Sequence, residues 1–290
     1  MPTTTLKNAA PNPPAEVLAQ CIGERWKNYL LAREQCMRGN TKAVHDMRVS
    51  LRRLLTALDV LRNIISASEI APTYAKLKKQ LGKLGKFRDV QVQNQIVEKL
   101  LPEFPALEQF SDKLSGVENR LGAKIPRIAA KADADAIGDT LIGLEGTLIG
   151  VFSSPESELR LQRLLVQTAN DAFTAVLARR AKLDASKPES VHAARLAFKR
   201  LRYLMELFMP LFPAITETRI AEARTLQGLM GRFHDTETLI DAMKQYRWKG
   251  RKAKKDYARA KKMLKKRYET TMRDIVEKMK EIESLWTVTA

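Results

Sequence analysis

The sequence predicts an all-α protein, and three observations carry that prediction. The 290 residues are 44% hydrophobic but only 6% aromatic, and the strong helix formers Ala, Leu, Lys, Arg and Glu dominate. From Glu16 onward apolar residues recur at helical spacing almost throughout. Proline and glycine then cut this pattern into lengths that suit helices, at Gly39-Asn40, Pro72, Pro102/Pro105, Pro155, Pro188, Pro210/Pro213 and Gly250.

Taken in order, residues 1–14 are rich in Pro, Thr and Asn and read as a disordered tail. Helices are expected over 16–37, 42–66, 70–100 and 106–134. A Gly-containing stretch, 137–154, reads as a weak connector, and helices resume over 157–183, 188–209, 214–245 and 251–285. The most apolar run, 137–152, is shorter than a membrane span and holds Asp139 and Glu145, so no transmembrane segment is expected. The N-terminus lacks the apolar stretch of a signal peptide. Cys21 and Cys36 fit neither a disulfide framework nor a zinc pattern. They suit a reducing compartment, and a cytoplasmic protein is the expectation.

Four helices, a connector and four more helices suggest a duplication, and the residues bear one. VHDMRVSLRRL, beginning at Val44, aligns without gaps on VHAARLAFKRL, beginning at Val191, at an offset of 147. Downstream, Gly82, Gly85, Lys86, Phe87 and Asp89 align on Gly228, Gly231, Arg232, Phe233 and Asp235 at an offset of 146. The expected architecture is two four-helix bundles related by a pseudo-two-fold axis, one from residues 15–150 and one from 151–290.

The charge asks for a partner. Fifty-one Lys and Arg against 33 Asp and Glu leave +18, which favours capture of polyanions. Residues 1–145 carry a net +6 and residues 146–290 a net +12, much of it between 247 and 267. Lysines and arginines there wrap right around the expected helix, which suggests general electrostatics more than a shaped site.

The duplicated helices are more specific. At about 100° per residue, Arg48 and Arg52 lie within about 60° of His45, and Arg53 lies about 80° round the other way. Met47, Leu51, Leu54, Leu58 and Leu61 form the opposite, apolar stripe. In the second copy His192, Arg195, Lys199 and Tyr203 share one side, and Ala194, Phe198, Leu201, Met205 and Phe208 the other. Stacked like charges destabilise a helix, so repeating them in both copies points to an anion that offsets the repulsion. Lys76, Lys79, Lys83 and Lys86 make a further stripe that the second half lacks. Asp89 and Asp235 read as carboxylates that orient arginines, and the paired glycines as allowing close helix contact or a bend.

Catalytic and metal readings find little support. His45 and His192 have no converging ligands, and no HExxH or CxxC is present. Asp133 and Asp135 do not make a calcium loop, because Ile137 and Leu144 stand where ligands belong. There is no P-loop, dinucleotide fingerprint or nucleophile elbow. A binder without cofactor or metal is expected, and not an enzyme. Few aromatics accompany the basic stripes, which disfavours base stacking, though nucleic acid stays the alternative partner.

The two helices VHDMRVSLRRLLTAL and VHAARLAFKRLRYLMELF resemble the signature helices of the conserved-histidine α-helical domain family, CHAD. The Gly-x-x-Gly-basic-Phe-x-Asp blocks resemble the helix that follows each. The resemblance spans roughly residues 16–285. It implies two four-helix bundles around a basic central cavity, binding of inorganic polyphosphate, and residence at polyphosphate granules. It also implies a stand-alone binder, since no room is left for the hydrolase domain fused in many relatives. His45, Arg48, Arg52 and Arg53 match the first signature, and His192, Arg195, Lys199, Arg200, Arg202 and Tyr203 the second. Lys79, Lys83, Lys86, Arg88 and Arg232 sit on the helices expected beside them. Ala193, where an acid is common, and His234, opposite Arg88, break the equivalence of the halves.

Overall fold

The computed structural model describes residues 13–66, 68–184 and 186–286. Most of the tail expected over 1–14 lies outside the described residues, and Pro14 already opens a helix. Among the described residues every regular element is helical. The long elements are α1 (Pro14–Met37), α2 (Val44–Ile64), α3 (Ile70–Glu98), α4 (Glu108–Gly122), α5 (Ile125–Ala130) and α6 (Ala134–Val151). They continue with α7 (Pro155–Arg180), α8 (Pro188–Phe208), α9 (Glu217–Gln245) and α10 (Arg251–Lys280), and short 3-10 turns fill in between.

The helix boundaries follow from side-chain and backbone chemistry. Gly39 and Gly250 take φ near +83° and +85°, where a side chain would be strained, and so turn the chain after α1 and before α10. The Ser154 hydroxyl accepts the Ser157 N–H while the Ser157 hydroxyl accepts the Ser154 N–H, which caps α7 reciprocally. The Thr216 hydroxyl accepts the Arg219 N–H at the start of α9. The expected apolar stripes are interior: Met47, Leu51, Leu54, Leu58 and Leu61 on α2, and Phe198, Leu201, Met205 and Phe208 on α8, are fully buried. Each such side chain contributes about 1.5–3 kcal/mol by leaving water.

Two expectations are corrected. The single helix over 106–134 is broken into α4 and α5. Pro126 in the first turn of α5 lacks the N–H a continuous helix would need. At the end of α4, a Cβ on Gly122 would lie 3.4 Å from both Phe87 and Thr41, so the chain turns where it packs closest. The weak connector over 137–154 is instead a full helix, α6. Asp133 caps it by accepting the Ala136 N–H at 3.1 Å, and Ile137, Leu141, Leu144 and Leu148 bury one face beside α1. Gly138 lets the Trp26 indole approach to 3.4 Å from where its Cβ would stand. Glycine costs about 1 kcal/mol per helical position, and burying four large apolar side chains outweighs it.

No single described helix is long and apolar enough to cross a membrane. Only α6 and α7 taken together reach that composition, and they are bent by 119°.

The apolar interior has two parts. The larger takes α1, α2, α5, α6, α7 and α8, the N-terminal portions of α3 and α9, and the C-terminal end of α10. The smaller takes the C-terminal portions of α3 and α9 with α4 and the first half of α10. On α3 the larger core ends at Phe87 and the smaller takes over at Val97; on α9 the limits are Phe233 and Leu239. Arg88, Asp89, His234 and Asp235 therefore sit where the hydrophobic interior is interrupted. That interruption, spanned by α3 and α9 and flanked by α2 and α8, is where polar chemistry gathers.

Candidate functional site

The site is built from four helices. From α2 come His45, Arg48 and Arg52, from α3 Arg88 and Asp89, from α8 Arg195, Lys199 and Tyr203, and from α9 His234 and Asp235. Helix α2 packs on α8, and α3 on α9, so both copies of the duplicated motif face the same space. The Arg48 guanidinium crosses α3, donating to the Leu81 carbonyl at 3.3 Å and lying 3.5 Å from where a Gly85 Cβ would stand. Gly82 and Gly231 would meet nothing within 4 Å, so close helix contact does not explain them.

The electrostatics are those of crowded cations. Burial, then Arg52, pushes Arg48 down to about 10. Burial lowers Arg195 against the pull of Asp235, and Arg52 adds to the lowering. Lys199 is pushed down to about 7, by burial first and then by Arg52, Arg195 and Arg48. His45 is lowered by burial and by Arg88, so it is a neutral imidazole more readily than an ordinary histidine. The His192 and His234 rings lie 5.7 Å apart, and His234 is lowered by burial, Arg195 and His192. Burial raises Asp235 although Arg195 and Arg88 oppose it. Among the described residues Arg48, Arg52, Arg195 and Lys199 form no ion pair. With Arg88, these four make five cationic side chains that share two nearby carboxylates, Asp89 and Asp235, the acids expected to orient arginines. No cluster of three or more His, Cys, Asp or Glu suited to a metal occurs among the described residues.

A cleft of about 750 Å³ opens beside this cluster, between α3, α9 and α10. Arg88 and Asp235 belong to both, and Arg232 lines only the cleft. Lys266 and Arg267 of the basic run also line it, as does Lys99. Treating that run as general charge missed these two residues. Successive turns of α10 bury Ala253, Asp256, Ala260 and Leu264, and that periodicity was the signal that one side of the basic helix faces inward.

Several predicted residues lie elsewhere. Arg53 and Arg202 both pair with the buried carboxylate of Glu206, Arg53 at 3.0 Å. Arg224 joins them at 3.1 Å, and Arg25 donates to the Glu206 carbonyl. Burial alone would raise the Glu206 carboxyl, but Arg202 and Arg53 override it and hold it below the usual glutamate value. Arg202 also lies 4.1 Å from the centre of the Tyr203 ring. Arg200 pairs with Asp59 at 3.4 Å on an exposed surface. Lys79 and Lys83 form an outer group with Arg127 and Lys131, where like charges lower Lys83, Lys131 most of all. Lys86 is exposed on the same helix. Arg88 is two residues beyond it, about 160° away round the helix, so the lysine stripe and Arg88 cannot face one site.

The CHAD domain family model matches residues 20–244 of this sequence. The chain belongs to the CHAD family. CHAD domains are associated with polyphosphate-related proteins. The fold is similar to a CHAD domain from the plant Ricinus communis, at a TM-score of 0.67 and 16% identity over 92% of this chain and 91% of that one. It is also similar to PptA from Streptomyces chartreusis, at a TM-score of 0.69 and 15% identity over 93% of this chain and 99% of that one. No curated protein matches the chain. In this CHAD chain the two signature helices are α2 and α8, and their first-turn histidines stand at the rim of the cationic cluster.

Proposed function

We propose that this CHAD protein is a non-enzymatic receptor for inorganic polyphosphate. In this reading residues 15–150 and 151–290 are duplicated halves that each supply one signature helix to a shared basic channel. One observation carries the proposal: Arg48, Arg52, Arg195 and Lys199, from both halves, crowd together without ion-paired carboxylates, at a cost that burial makes large. A linear polyanion offsets that cost along its whole length. Arginine forks chelate non-bridging phosphate oxygens in pairs, and lysines add point charges. Rigid helices hold the cations in advance, so binding relieves a repulsion that folding has already imposed. The same interaction would hold the protein at polyphosphate granules.

The test is calorimetry with polyphosphate of defined length against single-stranded RNA of matched charge, on the parent and on Arg48→Ala combined with Arg195→Ala. Polyphosphate is expected to bind more tightly than RNA, and the double variant to lose about a hundredfold, roughly two charge-assisted contacts. RNA binding more tightly would make this a nucleic-acid protein, and an unchanged double variant would remove the channel from the account.

A further inference from the structure

Lys199 is a lysine without a counter-charge among groups suited to hold phosphate. It stands one helical turn from Arg195 and Arg202 on α8, and Arg48 and Arg52 of α2 act on it across the α2–α8 contact. The acids of the cluster are engaged elsewhere: Asp89 of α3 acts on Arg48 and Arg195, and Asp235 of α9 on Arg195. The Lys199 amine has no hydrogen-bond or ion-pair partner among the described residues. It is half-buried but not sealed, since His234 Nδ1 is the one enclosed polar side-chain atom among them without a partner. Burial and the surrounding guanidiniums push it down to about 7, so much of it is free amine near neutrality. An ordinary lysine is almost wholly ammonium there.

A free amine is a nucleophile and an ammonium is not. The phosphate-binding groups around this one select which electrophile reaches it. We propose that Lys199 is an acylation site, taking its acyl group from an acyl phosphate seated on Arg48, Arg52 and Arg195. The Nζ lone pair attacks the carbonyl carbon, the N–C bond forms, and the C–O bond to phosphate breaks. Phosphate leaves with that electron pair and takes up the proton that Nζ sheds, so the products are an amide and hydrogen phosphate. The guanidiniums that seat the donor also stabilise the charge gathering on the leaving oxygen. Polyphosphate offers the same grip but no carbonyl carbon, and its phosphorus atoms lie behind charged oxygens. An aldehyde phosphate would need an acid to expel water from its adduct, and the carboxylates here are engaged with Arg48 and Arg195. An acyl phosphate brings its own leaving group. The amide takes one cation out of the cluster and adds bulk, so acylation weakens the polyphosphate site. The proposal rests on the anion-binding reading of the same cluster.

Peptide-mapping mass spectrometry of the full chain tests it, with acetyl phosphate and the uncharged donor p-nitrophenyl acetate run in parallel. Acetyl phosphate is expected to acetylate Lys199 at least about tenfold faster than the exposed Lys262 and Lys265, because the larger share of free amine outweighs its lower intrinsic nucleophilicity. The rate at Lys199 should level off just above about pH 7, while an ordinary lysine keeps accelerating towards about pH 10. Lys199 should be favoured over the exposed lysines more strongly by acetyl phosphate than by p-nitrophenyl acetate, and Arg48→Ala with Arg195→Ala should abolish that difference. Acetylated protein should bind long-chain polyphosphate about three- to tenfold more weakly at neutral pH, whereas Lys199→Arg given the same treatment should keep its affinity. Labelling of Lys199 no faster than of the exposed lysines, or equal selectivity with both donors, overturns the inference. An unlabelled Lys199 in protein that still binds long-chain polyphosphate removes the acylation site and spares the receptor. Fast, arginine-dependent labelling in protein that fails to bind polyphosphate does the reverse.

Discussion

Two arginine clusters lie on either side of the α2–α8 contact, and they are built from adjacent residues. On one side Arg48, Arg52, Arg195 and Lys199 crowd together and form no ion pair among the described residues. On the other Arg25, Arg53, Arg202 and Arg224 converge on Glu206, whose side chain is only 6% exposed. Arg52 and Arg53 are neighbours in sequence, yet one turns to each cluster, because consecutive helical residues diverge by about 100°. The contrast separates binding from folding. Cations around a buried carboxylate tie α1, α2, α8 and α9 together, whereas cations left without one keep their capacity for an external anion.

The largest effect is expected where that tie is cut. Glu206→Ala leaves the buried Arg202, with Arg53, Arg25 and Arg224 close by, without its acid. Removing one partner from a buried pair costs about 3–5 kcal/mol, read as a fall in the denaturant midpoint. Retained stability would mean that Glu206 is no more than a surface acceptor.

The next comparison is between neighbours. Arg52→Ala should weaken polyphosphate binding about tenfold, one charge-assisted contact, while leaving stability unchanged or raised as repulsion is relieved. Arg53→Ala should cost about 1 kcal/mol of stability, limited by the 36% exposure of its side chain, and leave binding unchanged. The same loss from both, in calorimetry and in unfolding, would erase the distinction between the clusters.

Lys199 sharpens the picture through pH. In the folded chain it is pushed down to about 7, against an ordinary lysine value of 10.5. Between about 7 and 10.5 unfolding takes up a proton, so the empty protein gains stability as pH rises through that window. Below about 7 both states are protonated and the gain is absent. Phosphate oxygens favour the ammonium, so polyphosphate should bind with proton uptake just above neutrality, and its affinity should fall as pH rises. Lys199→Met should flatten both trends and lower affinity by about three- to tenfold at neutral pH. Calorimetry in buffers of different ionisation heat reads the proton count, and uptake that persists in the variant would assign it to another group.

Much of this was legible in the sequence, and what was not has physical causes. The buried faces of α2 and α8 followed from period alone, since a stripe of leucines has one low-energy place to go. The convergence of Arg48 with Arg195 followed from the duplication. Glu206 was hidden because a lone acid near the end of a basic amphipathic helix looks like solvent-facing polarity until its three arginine partners, from three different helices, are seen. Only Arg202, four residues before it, was a local clue. Helix α6 was hidden by its glycines, whose cost is local while the burial that offsets it is tertiary.

The smallest expected effect tests whether net charge alone explains capture. Lys262 and Lys265 are exposed on α10 and do not line the cleft between α3, α9 and α10. Replacing both with Ala removes the same charge as the Arg48→Ala, Arg195→Ala pair. Exposed charges farther from a bound chain than about 8 Å are largely screened at physiological salt. Affinity should therefore fall about twofold at most, mainly through a slower association rate, and the difference should vanish at high salt. A loss comparable to that of the arginine pair would mean that the whole basic surface captures the chain, and the unpaired cations between α2 and α8 would then need another purpose.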